Sequence, residues 1–296
     1  MTRTTWIALG SLIVGIAVLA IKTLAWQITG SVALLSDALE SIVNVATALA
    51  ALLAVHYASR PADANHPYGH HKAELFSAVL EGVMIVIAAL FILREAWGAF
   101  QAPRHIVAPL PGLLINGAAS LLNAGWCWVL ISQGRKLRSP ALVADGKHLR
   151  TDVVSSVGVA CGVILAVVTG LPWLDPLMAV LVAGNILWAG VGVMRHSVGG
   201  LMDEALPEDV LEEVRNLIAT EATGAYQAHD LRSRQAGSAI FIEFHLVVPG
   251  ESTVNAAHEV CDRVEAALKA YLPGSTITIH VEPEEKAKRS GIHVLH

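Results

Sequence analysis

The chain has 296 residues, of which 54% are hydrophobic and only 15% charged, with a formal net charge of -5. A soluble protein carries roughly a quarter charged residues, so an ordinary soluble globule is excluded, and the negative balance excludes a basic nucleic-acid footprint. Three scattered cysteines, Cys127, Cys161 and Cys261, exclude a disulfide framework and a CxxC zinc knuckle.

The apolar surplus fills the first two thirds, in runs of the length that crosses a bilayer, about 20 residues. Spans are expected at about 6–28, 32–57, 73–98, 108–133, 142–169 and 174–198. The first follows Arg3 and lacks a small-residue cleavage site, so it reads as a permanent span and not a signal peptide. The hinges are "QITGS", the loop containing "HPYGHHKAE", "QAPRH", "GRKLRSP" and "GLPWLDP", most of them marked by Gly or Pro. Arg3, Arg60, Lys72, Arg135, Lys136, Arg138 and Arg195 fall on one side, with Arg104 nearly alone on the other. The positive-inside rule then puts both termini in the cytoplasm.

Polar groups interrupt several of these spans. Asn116, Asn123 and Asn185 read singly as packing hydrogen bonds. Carboxylates weigh differently, because a charge near the bilayer centre costs at least about 2.5–3.5 kcal/mol. "LLSDALESIVN" puts Asp37, Glu40 and Asn44 on one helical face, and "ADGKHLRTDVV" repeats that spacing with Asp145, His148 and Asp152. Facing each other, the stripes could present Glu40, Asn44, His148 and Asp152 to one ion. Oxygen with imidazole suits zinc, iron or manganese, and a tetrahedral arrangement suits zinc best. A structural hydrogen-bond network is the alternative. In the loop before span three, His66 and His70 lie four apart with Asp63 just upstream, more chemistry than a connector requires. Lys72 and Glu74 open that span. Glu81 lies two turns deeper, lining an inner vestibule or making a structural hydrogen bond.

From about Asp203 the texture changes. "LPEDVLEEVRNLIAT" has a Pro near its start, early acids and helical periodicity. "AHDLRSRQAG" and "SAIFIEFHLVV" read as strands joined by a Gly turn, the second alternating clearly. An amphipathic helix opened by Ser252 or Thr253 and a last strand, "STITIHVEP", follow. The order αββαβ predicts a small two-layer α+β domain over 201–283, after a transmembrane domain over 1–200. Residues 284–296 are expected to be disordered. His229, His245, His258 and His280 would singly be ordinary surface histidines. His280 and Glu282 share a strand face.

The acidic stripe, the HxxxD of span five, six spans and the αββαβ tail together resemble the cation diffusion facilitators. "PADANHPYGHHKAE" and "AHDLRSRQAG" resemble the bacterial zinc/iron efflux members of that family. The resemblance covers about residues 6–283 and implies a homodimeric exporter in the bacterial inner membrane, exchanging a divalent metal for protons. It implies no enzyme activity and no organic cofactor, and a ferredoxin- or metallochaperone-like fold for the tail. Zinc is the first expectation for the metal, with iron, cadmium or manganese as alternatives. The family's transport site maps onto Glu40, Asn44, His148 and Asp152, with Asp37 as a further candidate; a second site maps onto Asp63, His66 and His70. A binuclear cytoplasmic zinc site maps onto His229, His245, His258, His280 and Glu282, and an ion pair at the dimer junction onto Lys72 and Asp203. Relatives usually carry Asp at the positions of Glu40 and Asn44, and commonly Asp at that of Glu282. Asn44 therefore withholds one charge from the transported ion.

Two readings from other classes compete. An intramembrane metalloprotease needs HExxH, and His258–Glu259, the one HE pair, lacks the second histidine. A membrane-anchored metal sensor would explain the tail histidines but not the intramembrane carboxylates.

Overall fold

A computed structural model describes residues 2–29, 32–101, 110–171 and 173–294. The hinges "QITGS" and "QAPRH" fall partly outside the described residues, Arg104 wholly, as do the side chains of Asp37, Glu40 and Asn116. The chain divides into two compact units, Met1–Val198 and Gly199–His296.

The first unit is helical: α1 (Arg3–Thr29), α2 (Val32–Ala58), α3 (Ala73–Gln101), α4 (Leu110–Lys136), α5 (Pro140–Thr169) and α6 (Leu174–Leu201). Each coincides with an expected span to within a turn. By length and apolarity, segments of α1, α2, α3 and α6 qualify as membrane-crossing among the described residues. In α5 the run "ADGKHLRTD" carries the charged groups of the candidate site. The start of α5 is well specified: Ser139 accepts from the Leu142 amide, Pro140 occupies the first turn, and Gly170 closes the helix at φ 70.

Large apolar side chains point outward, Leu121 at 76% exposure and Trp188 at 83%. Small ones point inward. Ala8, Ala51 and Ala141 pack with Leu130 and Leu142, while Ala78, Ala89 and Ala144 pack with Ile85, Ile186 and Val193. This inversion suits lipid, which gives apolar groups no reason to hide and leaves association to close packing. A Cβ on Gly82 would stand 2.5 Å from Met194 Cγ and 3.2 Å from the Gly190 carbonyl oxygen, so α3 and α6 meet almost backbone to backbone. Exposed Trp6, Trp97 and Trp173 lie near helix ends, where an interfacial belt would sit.

The second unit comprises α7 (Glu208–Glu221), β1 (Gln227–Ala236), β2 (Ala239–Val248), α8 (Val254–Tyr271), β3 (Ser275–Pro283), a 3-10 turn (Glu284–Lys286) and β4 (Ile292–His293). The sheet order is β3-β2-β1-β4, with β2 parallel to β3 and the other pairs antiparallel. Alternation along β2 sends Ile240, Ile242, Phe244, Leu246 and Val248 into one core with Val214, Ile218, Val264 and Leu268 of the two helices. The opposite face of the sheet carries Glu243 and His245. In β1 the register shifts between His229 and Arg232, and Asp230 adopts φ 52. That bulge switches parity, so Ala228 and Leu231 both pack toward the core although an odd step separates them.

Within the stretch expected to be disordered, the described residues 284–294 carry a 3-10 turn and a short strand. The Lys288 amide donates to Gln227 Oε1 at 3.1 Å, Ile292 and His293 pair with β1, and Val294 joins the core at 6% exposure. Two strand residues carry no readable alternation; pairing with the free edge of β1 orders them.

Candidate metal centres

The intramembrane cluster is built from α2, α3 and α5. On α2, Asn44 is 6% exposed; on α5, His148 is 4% exposed one turn before half-buried Asp152. Asn44 Nδ2 donates to Asp152 Oδ2 at 2.5 Å, and His148 Nε2 lies 2.9 Å from Asn44 Oδ1. Three of the four expected ligands therefore converge across two helices; the Glu40 side chain lies outside the described residues. Asp145 belongs to a different contact: Ser11 of α1 donates to its Oδ2 at 2.5 Å. From the other side comes Glu81 of α3, fully buried, with Oε2 3.3 Å from His148 Nδ1. The sequence leaves Glu81 between lining an inner vestibule and making a structural hydrogen bond. Its signal was a carboxylate inside an apolar run.

The loop site is preorganised by its own backbone. Asp63 Oδ1 accepts from the amides of Asn65 and His66 at 2.9 and 2.7 Å. Those amide bonds, with the one from His66 foremost, hold the Asp63 carboxyl below its ordinary value of 3.8. Asp63 Oδ1 also meets His66 Nδ1 at 3.1 Å, and its Oδ2 meets His70 Nε2 at 3.2 Å. Gly69 makes the turn at φ 84. One ligand atom from each of Asp63, His66 and His70 lies within 4.8 Å of the others. His70 is buried against Tyr57, ring centroids 4.7 Å apart. Burial, and secondarily neighbouring His70, pushes the half-buried His71 imidazole below its ordinary value.

In the tail, strand register makes the site. His229 pairs with His245, and His245 with His280, so the three imidazoles occupy one rung across β1, β2 and β3. Neighbouring ring centroids are 5.3 and 4.9 Å apart. Glu282, two residues along β3, reaches His229 Nε2 at 3.1 Å, His245 Nδ1 at 3.2 Å and His280 Nε2 at 3.7 Å. These contacts have ion-pair distance without hydrogen-bond geometry: both ring nitrogens of His229, His245 Nδ1 and Glu282 Oε2 are buried and accept or donate no hydrogen bond among the described residues. Buried polar atoms are rarely left so, and imidazole with carboxylate is a donor set that fits zinc. Asp230, which no pattern in the sequence singles out, joins His229 and His245 within 4.8 Å. The bulge aims it there. Lys288 donates to its Oδ2 at 2.5 Å and, as the leading cause, holds its carboxyl below the ordinary value. His258 stands apart from the rung on α8, 3.6 Å from Asp262, and lines a groove with Glu282. Asp203, at φ 58, accepts from Arg234 at 3.1 Å. Lys72 precedes α3 and is half-buried.

Known proteins share this arrangement of units. Residues 8–202 match the cation efflux transmembrane domain, and residues 206–284 match the cytoplasmic domain of cation efflux proteins. An uncharacterised transporter of Synechocystis sp. is 44% identical over 273 residues, 92% of this chain and 88% of that protein. The cation-efflux pump FieF of Cronobacter sakazakii is 34% identical over 280 residues, 93% of this chain and 91% of that protein. A solved zinc form of the putative zinc transporter CzrB is 46% identical, covering 29% of this chain and 99% of its own, with a TM-score of 0.28.

Proposed function

The chain belongs to the cation diffusion facilitator family of cation efflux proteins, and from that premise we propose that it is a homodimeric exporter of divalent metal, zinc foremost, driven by proton exchange. The observation that carries this reading is the buried convergence of Asn44, His148 and Asp152 from two helices of the membrane unit. Ionisable groups inside a bilayer mark ion pathways. In this reading Glu40 completes the ligand set, with Asp37 one turn before it as a reserve carboxylate. His148 and Asp152 surrender protons when metal binds, so an acidic far side expels the ion and reloads the site.

The two outer centres serve assembly. Asp63, His66 and His70 hold a second ion in the loop. The tail rung of His229, His245 and His280 with Glu282 holds zinc between two copies, His258 supplying a ligand from its groove. Both termini face the cytoplasm of a bacterial inner membrane, as the distribution of Arg and Lys favours. No covalent step and no organic cofactor is needed.

Proteoliposomes carrying the full chain test this. Zinc and iron flux should be lost in His148→Ala and in Asp152→Ala, each still eluting as the wild-type dimer. Undiminished flux in both variants would discard the site. Absence of flux in the wild type would turn the reading toward a membrane-anchored metal sensor.

A further inference from the structure

Resting on that reading of the transport site, we propose that Glu81 is a positioning residue of the site: it holds the His148 ring through Nδ1 and brings from α3 the negative charge that Asn44 withholds on α2. The geometry has two sides. Nε2 of His148 is hydrogen-bonded with Asn44 Oδ1 at 2.9 Å, and the opposite nitrogen, Nδ1, lies at ion-pair distance from Glu81 Oε2, 3.3 Å. A ring nitrogen takes a metal only through its lone pair. An ion on Nε2 therefore leaves the ring proton on Nδ1, the nitrogen 3.3 Å from Glu81 Oε2. A carboxylate accepting that proton fixes the ring's tautomer and orientation and makes Nε2 a stronger donor.

Packing holds Glu81 in place. The next residue, Gly82, lies so close to Met194 and Gly190 of α6 that no side chain fits, which pins this turn of α3. Glu81 is 1% exposed, and a carboxylate so deep in a bilayer helix is retained at a cost unless positive charge comes near. A divalent ion at His148 Nε2 supplies it. The count of carboxylates around the ion is then kept although α2 presents an amide, because one of them acts from behind the imidazole.

The test is initial-rate zinc flux in proteoliposomes of the full chain, with dimer elution as the check on folding. Glu81→Gln, which keeps size and loses charge, should raise the KM for zinc by about 10–100-fold, the usual effect of losing a carboxylate behind a metal-bound histidine. Glu81→Asp should fall between it and wild type. Asn44→Asp combined with Glu81→Gln should return KM to near the wild-type value. A merely structural Glu81 would not be rescued by a charge on another helix. Wild-type KM in Glu81→Gln, or an unrescued double variant, overturns the proposal. His148→Ala, measured alongside, separates this failure from that of the transport-site reading. If His148→Ala abolishes flux while Glu81→Gln behaves as wild type, only the role of Glu81 falls. Should Glu81→Gln fail to elute as a dimer, the double variant decides by the same criterion.

Discussion

Asn44 sits between a carboxylate and an imidazole, donating to Asp152 and facing His148. An amide there binds an ion with a dipole where a carboxylate would bind it with a charge. In a low-dielectric site that difference is large. Asn44→Asp should accordingly lower the KM for zinc or cadmium. The added carboxylate also competes for protons, so the pH dependence of flux should shift. Tighter binding slows departure on the far side, and the maximal rate should stay level or fall. Glu40→Gln should lose most activity. Initial rates at two internal pH values check all three; an unchanged affinity in Asn44→Asp together with normal transport in Glu40→Gln would place the ion elsewhere, among Asp37, His148 and Asp152.

Helix-to-helix contact in the membrane unit depends on missing side chains. At Gly82 even one added carbon meets Met194 Cγ at 2.5 Å and the Gly190 carbonyl oxygen at 3.2 Å, and a backbone oxygen cannot swing aside. Gly82→Val therefore forces α3 from α6 and drags Glu81 with it. Overpacking of this kind costs about 1–3 kcal/mol. The expected outcome is a lower thermal midpoint in detergent and weaker zinc flux, whereas Gly98→Val, with nothing among the described residues within 4 Å of its Cβ, should change neither. In the tail the corresponding element is the β1 bulge. Without its extra residue the parity of β1 would not switch, and either Ala228 or Leu231 would leave the core.

At the scale of the whole molecule, the tail has a hydrophobic core of its own, with Ile218, Phe244, Leu246, Val264 and Leu268 fully buried within it. A fragment from Leu206 to Val294, including the β4 edge that seals β1, should fold alone. Zinc should raise its thermal midpoint and its dimer fraction, because an ion that binds only the folded dimer stabilises it by mass action, about 2.7 kcal/mol at 100 times Kd. Calorimetric titration together with light scattering would read both effects. His229→Ala with His280→Ala should abolish them, since the rung then keeps a single imidazole, and zinc binding that survives the pair would reject the site.

Local chemistry made much of this protein readable before its structure. Apolar runs of bilayer length and their Gly and Pro breaks placed six helices, because a helix in lipid must satisfy its backbone internally and needs that length. Spacings of three and four put Asn44 on one helical stripe and His148 with Asp152 on another, and alternation along "SAIFIEFHLVV" separated the core face of β2 from the face carrying His245. Tertiary structure decided what lies between elements. The rung of His229, His245 and His280 depends on the registers of one antiparallel and one parallel pairing, and Asp230 enters it only through a bulge. β4 exists because β1 offers an unpaired edge. Glu81 meets His148 where α3 packs against α5, and the close approach of Gly82 to α6 pins that turn of α3. These contacts join residues tens of positions apart, and periodicity, which reports only which face of its own element a residue occupies, carries no information about which other element will meet that face.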